Sequence, residues 1–197
     1  PGQKLEDNAQ PFRFRHWLFA AIAETDRSDE VRRHLFDTLP EFLQSLVRGT
    51  TLEEVLFAVF LSHLRKLGRT EDPSLEAPLA AQILMRVGRA VDDVPALSPS
   101  SVKAKLIFAA SNGRMLIAAR RGDLSLSYRL LEGTRDCERC GLTAMSKDVE
   151  PQVRDHRRRR SIVLASHPKR SEGWAQMPEG GGLAVDRNLT VQLLSSF

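Results

Sequence analysis

Hydrophobic and polar residues alternate along this chain with two different periods, and each period predicts a type of secondary structure. Residues 12–20 (FRFRHWLFA) alternate with a period of two and are rich in aromatic side chains, which predicts one strand. Val31, Leu35 and Leu39 recur at helical spacing and predict a helix. Pro40 is expected to end this helix or to begin a second one.

A longer helix is predicted to begin after Thr51. Thr51 and Glu54 have the spacing of a capping box, in which the first residue caps the helix that follows. The next residues are apolar on almost every side, so this helix should be nearly all buried, and Gly68 should end it. A further helix, rich in Ala and Leu, is predicted from about Ser74 to about Val91.

The second half of the chain has the pattern of strands. Residues 103–111 and 114–121 flank Asn112-Gly113, a pair that favours a two-residue type I′ turn, so a hairpin is predicted. Three further features are predicted: a strand at residues 124–131, a buried strand at 161–167, and a terminal hairpin turning at 186–188. A strand, several helices and then several strands is an order typical of an α+β protein.

Length and composition indicate one ordinary globular domain spanning residues 1–197. The mass is 22.1 kDa, and 42% of the residues are hydrophobic and 27% charged. No run approaches the ~20 apolar residues that span a bilayer, and the first residues contain no apolar secretory segment. Two cysteines argue against a disulfide scaffold, so we expect a cytoplasmic protein with no membrane association and no cofactor.

The cysteines form a Cys137-x-x-Cys140 pair that could be half of a zinc site. His156 and His167 are the nearest candidates for the other two ligands, but the resulting spacing is not that of a standard zinc finger. A loop with two ordinary thiols is the simpler interpretation. The sequence therefore predicts no metal site.

An arginine-rich run, predicted to be a solvated loop before the 161–167 strand, is the most concentrated charge in a chain of net charge +4. Its members are Arg154, Arg157, Arg158, Arg159 and Arg160. No aromatic side chains that could stack on bases are interleaved with them, which argues against nucleic acid. The run could instead contact a polyanion or an acidic protein surface.

Four segments in sequence order carry a resemblance to a known family. Residues 8–24 and 49–61 resemble signature segments of class II glutamine amidotransferases, in the bacterial and fungal branch related to ergothioneine-pathway and glutathione-degradation enzymes; a bacterial origin is expected. The framework letters shared with that family are Asn8, Pro11, Phe12, Trp17, Leu18, Phe19, Ala20, Gly49, Glu53, Leu56, Phe57, Phe60 and Leu61. Residues 111–120 and 163–178 match two later segments of the same family.

The resemblance implies a fold and a chemistry. The fold is a four-layer αββα sandwich of the N-terminal-nucleophile hydrolase type, and it is expected to be incomplete here because the early third of the family domain has no counterpart. Family members attack glutamine with an N-terminal Cys whose own α-amine is the base. This chain begins with Pro1, and its cysteines lie far along the sequence.

Other site residues implied by the resemblance are replaced. The substituted positions are Gln10, Ala21, Ile22, Ala23, Thr51 and Leu52. Gln10 stands for a His of the family. Residues 21–23 stand for its His-Asn-Gly, which forms the oxyanion hole, unless that triplet is deleted and Ala21-Ile22 match the Thr-Ile that follows it. Either way the Asn donor is missing, and losing one such donor typically costs about 10²–10³ in rate.

The residue corresponding to the Asp that pairs with the substrate ammonium is Thr51, with Leu52 beside it, so glutamine binding is not expected. The leading hypothesis is a catalytically inactive amidotransferase-like domain that is a scaffold, a regulatory subunit or a partner-binding module, with a protein partner or a second copy. The alternative is an active amidotransferase or γ-glutamyl hydrolase whose nucleophile lies outside these residues. A third hypothesis is an anion-binding module that uses the arginine run.

Overall fold

The computed structural model describes residues 6–94, 104–133, 151–169 and 171–195, apart from the side chains of residues 152, 153, 156 and 157. They fall into two compact units. That the chain forms a single amidotransferase-like domain stays a prediction. The first unit comprises Pro1–Ser125 and Met177–Phe197, and the second comprises Leu126–Gln176.

Strands and helices are numbered here in chain order. The described strands are β1 (Phe12–Phe14), β2 (Trp17–Glu24), β3 (Lys105–Ser111), β4 (Leu116–Arg121), β5 (Ser127–Glu132), β6 (Arg160–Ala165), β7 (Ala175–Gln176), β8 (Gly182–Val185) and β9 (Val191–Leu194). The described helices are α1 (Ser28–Asp37), α2 (Glu41–Gln44), α3 (Leu52–Lys66), α4 (Ala77–Asp92) and α5 (Pro151–Arg158). The predicted α+β class is confirmed.

The first unit is built on a six-stranded antiparallel sheet in the order β1-β2-β3-β4-β8-β9. Helix α3 packs on β2, and helix α4 packs on β4 and β8. Helix α1 in turn packs on α3. Alternate residues of β2 point to opposite sides of the sheet, and those on one side, including Trp17 and Phe19, are buried. The helices cover this side.

Aromatic side chains join the sheet to helix α3. The Trp17 ring meets the Phe60 ring edge to face, with 5.2 Å between the ring centroids. The Phe19 ring stacks on Phe57 at 5.1 Å and lies 6.0 Å from Phe108 of the next strand. These rings are buried, so they contribute both burial of apolar area and ring–ring contact to the core.

The helix α3 predicted after Thr51 is confirmed. The Thr51 hydroxyl accepts a hydrogen bond from the Glu54 N–H at 3.4 Å, and almost every residue up to Leu64 is buried. Gly68 has φ +66°, the left-handed conformation that commonly follows a helix end and that glycine adopts at little cost. None of the described helices is long and apolar enough to cross a membrane.

The single strand predicted over residues 12–20 is wrong, because the segment folds as the β1–β2 hairpin. The chain turns at residues 15–16, where Arg15 has φ 54°, and Phe14 pairs with Trp17. The turn shifts the alternation by one residue, so Phe12 and Trp17 are both buried although the period of two had placed them on opposite faces.

The predicted hairpin of β3 and β4 is confirmed, but its two-residue turn is wrong. Ser111 pairs with Leu116, which leaves a four-residue loop between the strands. The Asn112 side-chain oxygen accepts hydrogen bonds from the N–H groups of Arg114 and Met115, at 3.0 and 3.1 Å. An Asx-type turn therefore closes this loop. The terminal hairpin of β8 and β9 is confirmed.

The second unit contains a three-stranded antiparallel sheet in the order β6-β5-β7 and helix α5. The strand predicted over residues 161–167 is observed as β6, but the expectation that it is buried is wrong: Val163 is 39% exposed and no residue of β6 is buried. The loop predicted for the arginine run is also wrong. Arg154, Arg157 and Arg158 belong to α5, Arg160 begins β6, and Arg159 lies between the two elements.

Candidate functional site

Two of the six substituted positions contact each other directly. The side-chain amide of Gln10 donates to the Ala21 carbonyl at 3.0 Å, and its oxygen accepts from the Ala21 N–H at 2.6 Å. This pair continues the register of the β1–β2 hairpin, in which Phe12 opposes Phe19. The Gln10 side chain thus makes the two hydrogen bonds that a backbone partner would make if β1 were two residues longer.

The residues that the resemblance matches either to the family's oxyanion-hole triplet or, if that triplet is deleted, to the residues after it lie within a regular strand. Ala21, Ile22 and Ala23 belong to β2 and pair with residues 106–108 of β3. None of their side chains has a hydrogen-bond donor, and the Ala21 N–H is already engaged by Gln10. Ile22 is 40% exposed on the face opposite the helices. This segment offers no side-chain donor to a developing oxyanion.

Thr51 and Leu52 both contribute to the start of helix α3. The Thr51 hydroxyl caps α3, and Leu52 is the first residue of that helix, buried in the hydrophobic core at 4% exposure. A substrate ammonium needs an anionic partner in a partly desolvated site. Neither residue provides one.

The loop before α3 is held by the side chains of Glu54 and Arg32, whose contacts with this loop the sequence did not predict. The two carboxylate oxygens of Glu54 accept hydrogen bonds from the Arg48 and Gly49 N–H groups, at 2.9 and 2.7 Å. The Arg32 guanidinium donates to the Gly49 carbonyl at 3.0 Å. Capping-box spacing was the available signal for Glu54, but its carboxylate reaches back beyond the helix cap.

Asn8 holds the same loop from the other side. Its side-chain oxygen accepts from the Thr50 N–H at 2.8 Å, and its amide donates to the Thr50 hydroxyl at 3.2 Å. Gly49 lies so close that an added Cβ would stand 2.8 Å from a Glu54 oxygen and 2.9 Å from the Asp7 carbonyl. Asn8 and Gln10 therefore connect the loop before α3 to strand β2.

A cavity of about 360 Å³ lies beside this framework and is lined partly by Pro11, Phe12, Arg48 and Glu54. Its lining in the described part of the chain includes none of the six substituted positions. The positions that the resemblance assigns to glutamine thus do not face this space.

The arginine run is exposed where the structure describes it. Arg154, Arg158, Arg159 and Arg160 are exposed, and the Arg160 guanidinium pairs with the Glu132 carboxylate at 3.1 Å. The side chain of Arg157 lies outside the described atoms. Anion binding by this run stays a prediction.

Metal binding by the cysteine pair lies outside what the structure describes, since Cys137 and Cys140 fall between residues 133 and 151. His167 is exposed. Within the described residues, no three His, Cys, Asp or Glu side chains are grouped so that they could hold a metal ion.

His63, on helix α3, is a titratable group that the amidotransferase resemblance does not explain. Burial, together with the positive charges of Lys66 and Arg86, lowers its pKa from the ordinary value. Its Nε2 atom is buried and has no hydrogen-bond partner among the described residues. The fold therefore favours the neutral imidazole.

This shift predicts that acidification destabilises the protein through His63. The unfolded chain binds the proton at the ordinary pKa and the folded chain only at lower pH, so stability falls as the pH drops below about 6.5. In urea unfolding, the free energy of unfolding should fall less between pH 7.5 and pH 5.5 in His63→Gln than in the unmodified chain. His34→Gln, which removes an exposed histidine from α1, is the control. If the free energy of unfolding falls by the same amount in His63→Gln as in the unmodified chain, the prediction is contradicted.

No protein-family model matches the chain, and no curated protein matches it. Solved structures do. A glutamine aminotransferase class-II domain protein from Silicibacter pomeroyi is 20% identical, with a TM-score of 0.63 over 96% of this chain and 70% of that one. A predicted glutamine amidotransferase from Pseudomonas aeruginosa is 17% identical, with a TM-score of 0.61 over 99% of this chain and 68% of that one.

A third similar structure is the glutamine phosphoribosylpyrophosphate amidotransferase of B. subtilis, solved with ADP and GMP. It is 12% identical, with a TM-score of 0.51 over 96% of this chain and only 32% of that one. At these identities the likeness concerns the fold. The chain has the fold of class-II glutamine amidotransferase domains, as the sequence resemblance implied.

Proposed function

We propose that this chain is a class-II glutamine amidotransferase-like domain that does not hydrolyse glutamine and that works by binding a protein partner or a second copy of itself. The observation that carries the proposal is what the substituted positions contact. Gln10 and Ala21 complete a strand pairing, Thr51 caps a helix, and Leu52 fills the core. These four positions therefore contribute to the framework of the fold.

The chemical requirements of amide hydrolysis explain why these contacts matter. The reaction needs a nucleophile, a base, donors for the tetrahedral oxyanion and an anchor for the substrate. The Ala21 N–H is already satisfied, and Leu52 can offer only dispersion contacts. Restoring the site would therefore require breaking contacts that stabilise β2 and α3.

The four-layer αββα sandwich of the N-terminal-nucleophile type and a cytoplasmic location belong to the same proposal. An all-antiparallel six-stranded sheet with helices on one face, a second antiparallel sheet and the similar solved structures support the finer fold. Leu18 and Ile22, both at least 40% exposed on one face of β2, are the residues at which we propose that a partner makes contact, because association would remove their apolar area from water.

Ammonia release from glutamine tests the proposal directly. The chain should release no more ammonia from glutamine, or p-nitroaniline from γ-glutamyl-p-nitroanilide, than a sample without protein, while an active class-II amidotransferase gives a strong signal in parallel. A variant with both Cys137→Ala and Cys140→Ala controls for thiol chemistry. Release that depends on either cysteine would refute the inactive assignment.

A second candidate is an active amidotransferase whose nucleophile is supplied from outside these residues. The observation that favours it is length, since the chain spans 70% and 68% of two similar structures. Intact mass and N-terminal sequencing of the protein purified from its host decide the matter. A Met-Cys start together with glutaminase activity would support this candidate and contradict the first one. A purified protein without such a start would contradict the second candidate.

A further inference from the structure

A second cavity, of about 470 Å³, lies away from the substituted positions, between the β1–β2 turn, the end of α3 and the residues after Gly68. Leu43 and Leu61 are almost fully buried and form its floor, and the rings of Phe14 and Phe42 form partly exposed walls. Its volume lies within the range of small-molecule sites, which is roughly 300–1,000 Å³. An apolar group could therefore be desolvated here.

The acidic side chains at the rim of this cavity already have partners. Glu71 forms an ion pair with Arg15. Asp72 accepts hydrogen bonds from Ser74 and pairs with Arg69, and these contacts lower its pKa to about 2. Neither carboxylate has to be neutralised by a ligand cation.

The Arg65 side chain is the positive charge on the rim that has no such partner. Its guanidinium carbon lies 3.9 Å from the centroid of the Phe42 ring, so one face of the guanidinium is stacked on an aromatic wall. In the part of the chain that the structure describes, no carboxylate pairs with Arg65. Stacking engages the face of a guanidinium and leaves the N–H donors at its edge available to a planar anion.

We propose that this cavity binds a small organic carboxylate that carries an aromatic or branched apolar group. The apolar group would contact Leu43, Leu61 and the Phe42 ring, and the carboxylate would accept hydrogen bonds from the edge of Arg65. The site is independent of the glutamine-site positions, so it stands whether or not the domain is catalytically inactive.

Three probes with one carbon skeleton test the charge preference. 3-Phenylpropionate should bind the purified chain saturably, with a dissociation constant in the millimolar range or below, as followed by ligand-observed NMR and calorimetry. 3-Phenylpropan-1-ol should bind about tenfold more weakly, since it keeps the apolar group and lacks the charge. 3-Phenylpropan-1-amine should show no saturable binding, because its ammonium would approach Arg65.

Three variants test the residues. Arg65→Gln should weaken 3-phenylpropionate binding about tenfold, because it removes the charge and the donor edge. Glu71→Gln should tighten binding, because it releases Arg15 toward the same space. Arg33→Gln, which removes an exposed arginine from helix α1, is the matched control and should change nothing.

All of these side chains are at least partly exposed, so the variants are expected to fold, and circular dichroism checks this. Absence of saturable binding to the unmodified chain would overturn the proposal. Equal affinity of Arg65→Gln and Arg33→Gln would overturn it as well, as would equal binding of the acid and the amine. Tighter binding by Glu71→Gln supports the site even if Arg65→Gln does not fold.

Discussion

Replacing Trp17 with alanine should lower the free energy of unfolding by about 3–5 kcal/mol, the range typical of deleting a fully buried large aromatic side chain. Trp17 has no exposed surface, and its ring meets Phe60 edge to face. Its Nε1–H donates to the Thr70 carbonyl at 3.0 Å, across 53 residues of chain. The substitution would leave a cavity and an unpaired carbonyl oxygen in the same place.

Urea unfolding followed by far-UV circular dichroism measures this loss, since fluorescence would change with the removal of one of the two tryptophans. Trp17→Phe should cost less than Trp17→Ala, because it keeps a ring against Phe60 and loses only the hydrogen bond and part of the buried volume. Leu18→Ala, at the next residue but on the exposed face, should change stability by no more than about 0.5 kcal/mol. A loss for Trp17→Ala as small as that of Leu18→Ala would show that the aromatic cluster does not stabilise the core as described.

Local patterns were sufficient where an element depends only on its own residues. Helix α3 follows from an uninterrupted apolar segment with a threonine before it and a glycine after it, and the structure contains each of these features. The strands β3 and β4 follow similarly from their alternation. The turn between them could not be predicted as reliably, because the Asn112 side chain replaces the backbone geometry that Asn-Gly usually adopts.

Two features were missed because the hydrophobic pattern does not mark them, the β1–β2 turn and helix α5. The β1–β2 turn keeps the apparent alternation of residues 12–20 while reversing the chain, and nothing in the composition of Arg15-His16 marks it. Helix α5 has too few apolar residues to show an apolar stripe. Its first residue, Pro151, was the available signal, because proline is favoured in the first turn of a helix.

At the candidate site, the family resemblance pointed to particular positions in the sequence. Only the structure shows which residues those positions contact. The resemblance implied that Gln10 stands for a histidine of the family, and the side chains of residues 21–23 lack hydrogen-bond donors. The pairing of Gln10 with Ala21 depends on the hairpin bringing together residues that are eleven positions apart, so no local pattern could reveal it. The same holds for Asn8, whose partner Thr50 is 42 residues away. The contacts of these positions are therefore visible only in the three-dimensional structure.

Glu54→Gln should lower the free energy of unfolding by about 2–3 kcal/mol, and Glu54→Ala by about as much or more. The Glu54 carboxylate is buried and accepts from two backbone N–H groups, those of Arg48 and Gly49. A glutamine side chain has one oxygen, so one of these donors would face an amide N–H₂ and lose its partner. A buried donor without a partner costs roughly 1–3 kcal/mol, in addition to the lost charge-assisted bond.

Glu53→Gln is the matched control for this prediction, because Glu53 lies in the same helical turn, is only partly buried, and makes no described hydrogen bond. It should change stability by no more than about 0.5 kcal/mol. Gly49→Ala approaches the same loop sterically and should be destabilising as well, since its Cβ would crowd a Glu54 oxygen and the Asp7 carbonyl. Equal stability of Glu54→Gln and Glu53→Gln in urea unfolding would mean that the loop before α3 is held by Asn8 and Arg32 without the carboxylate.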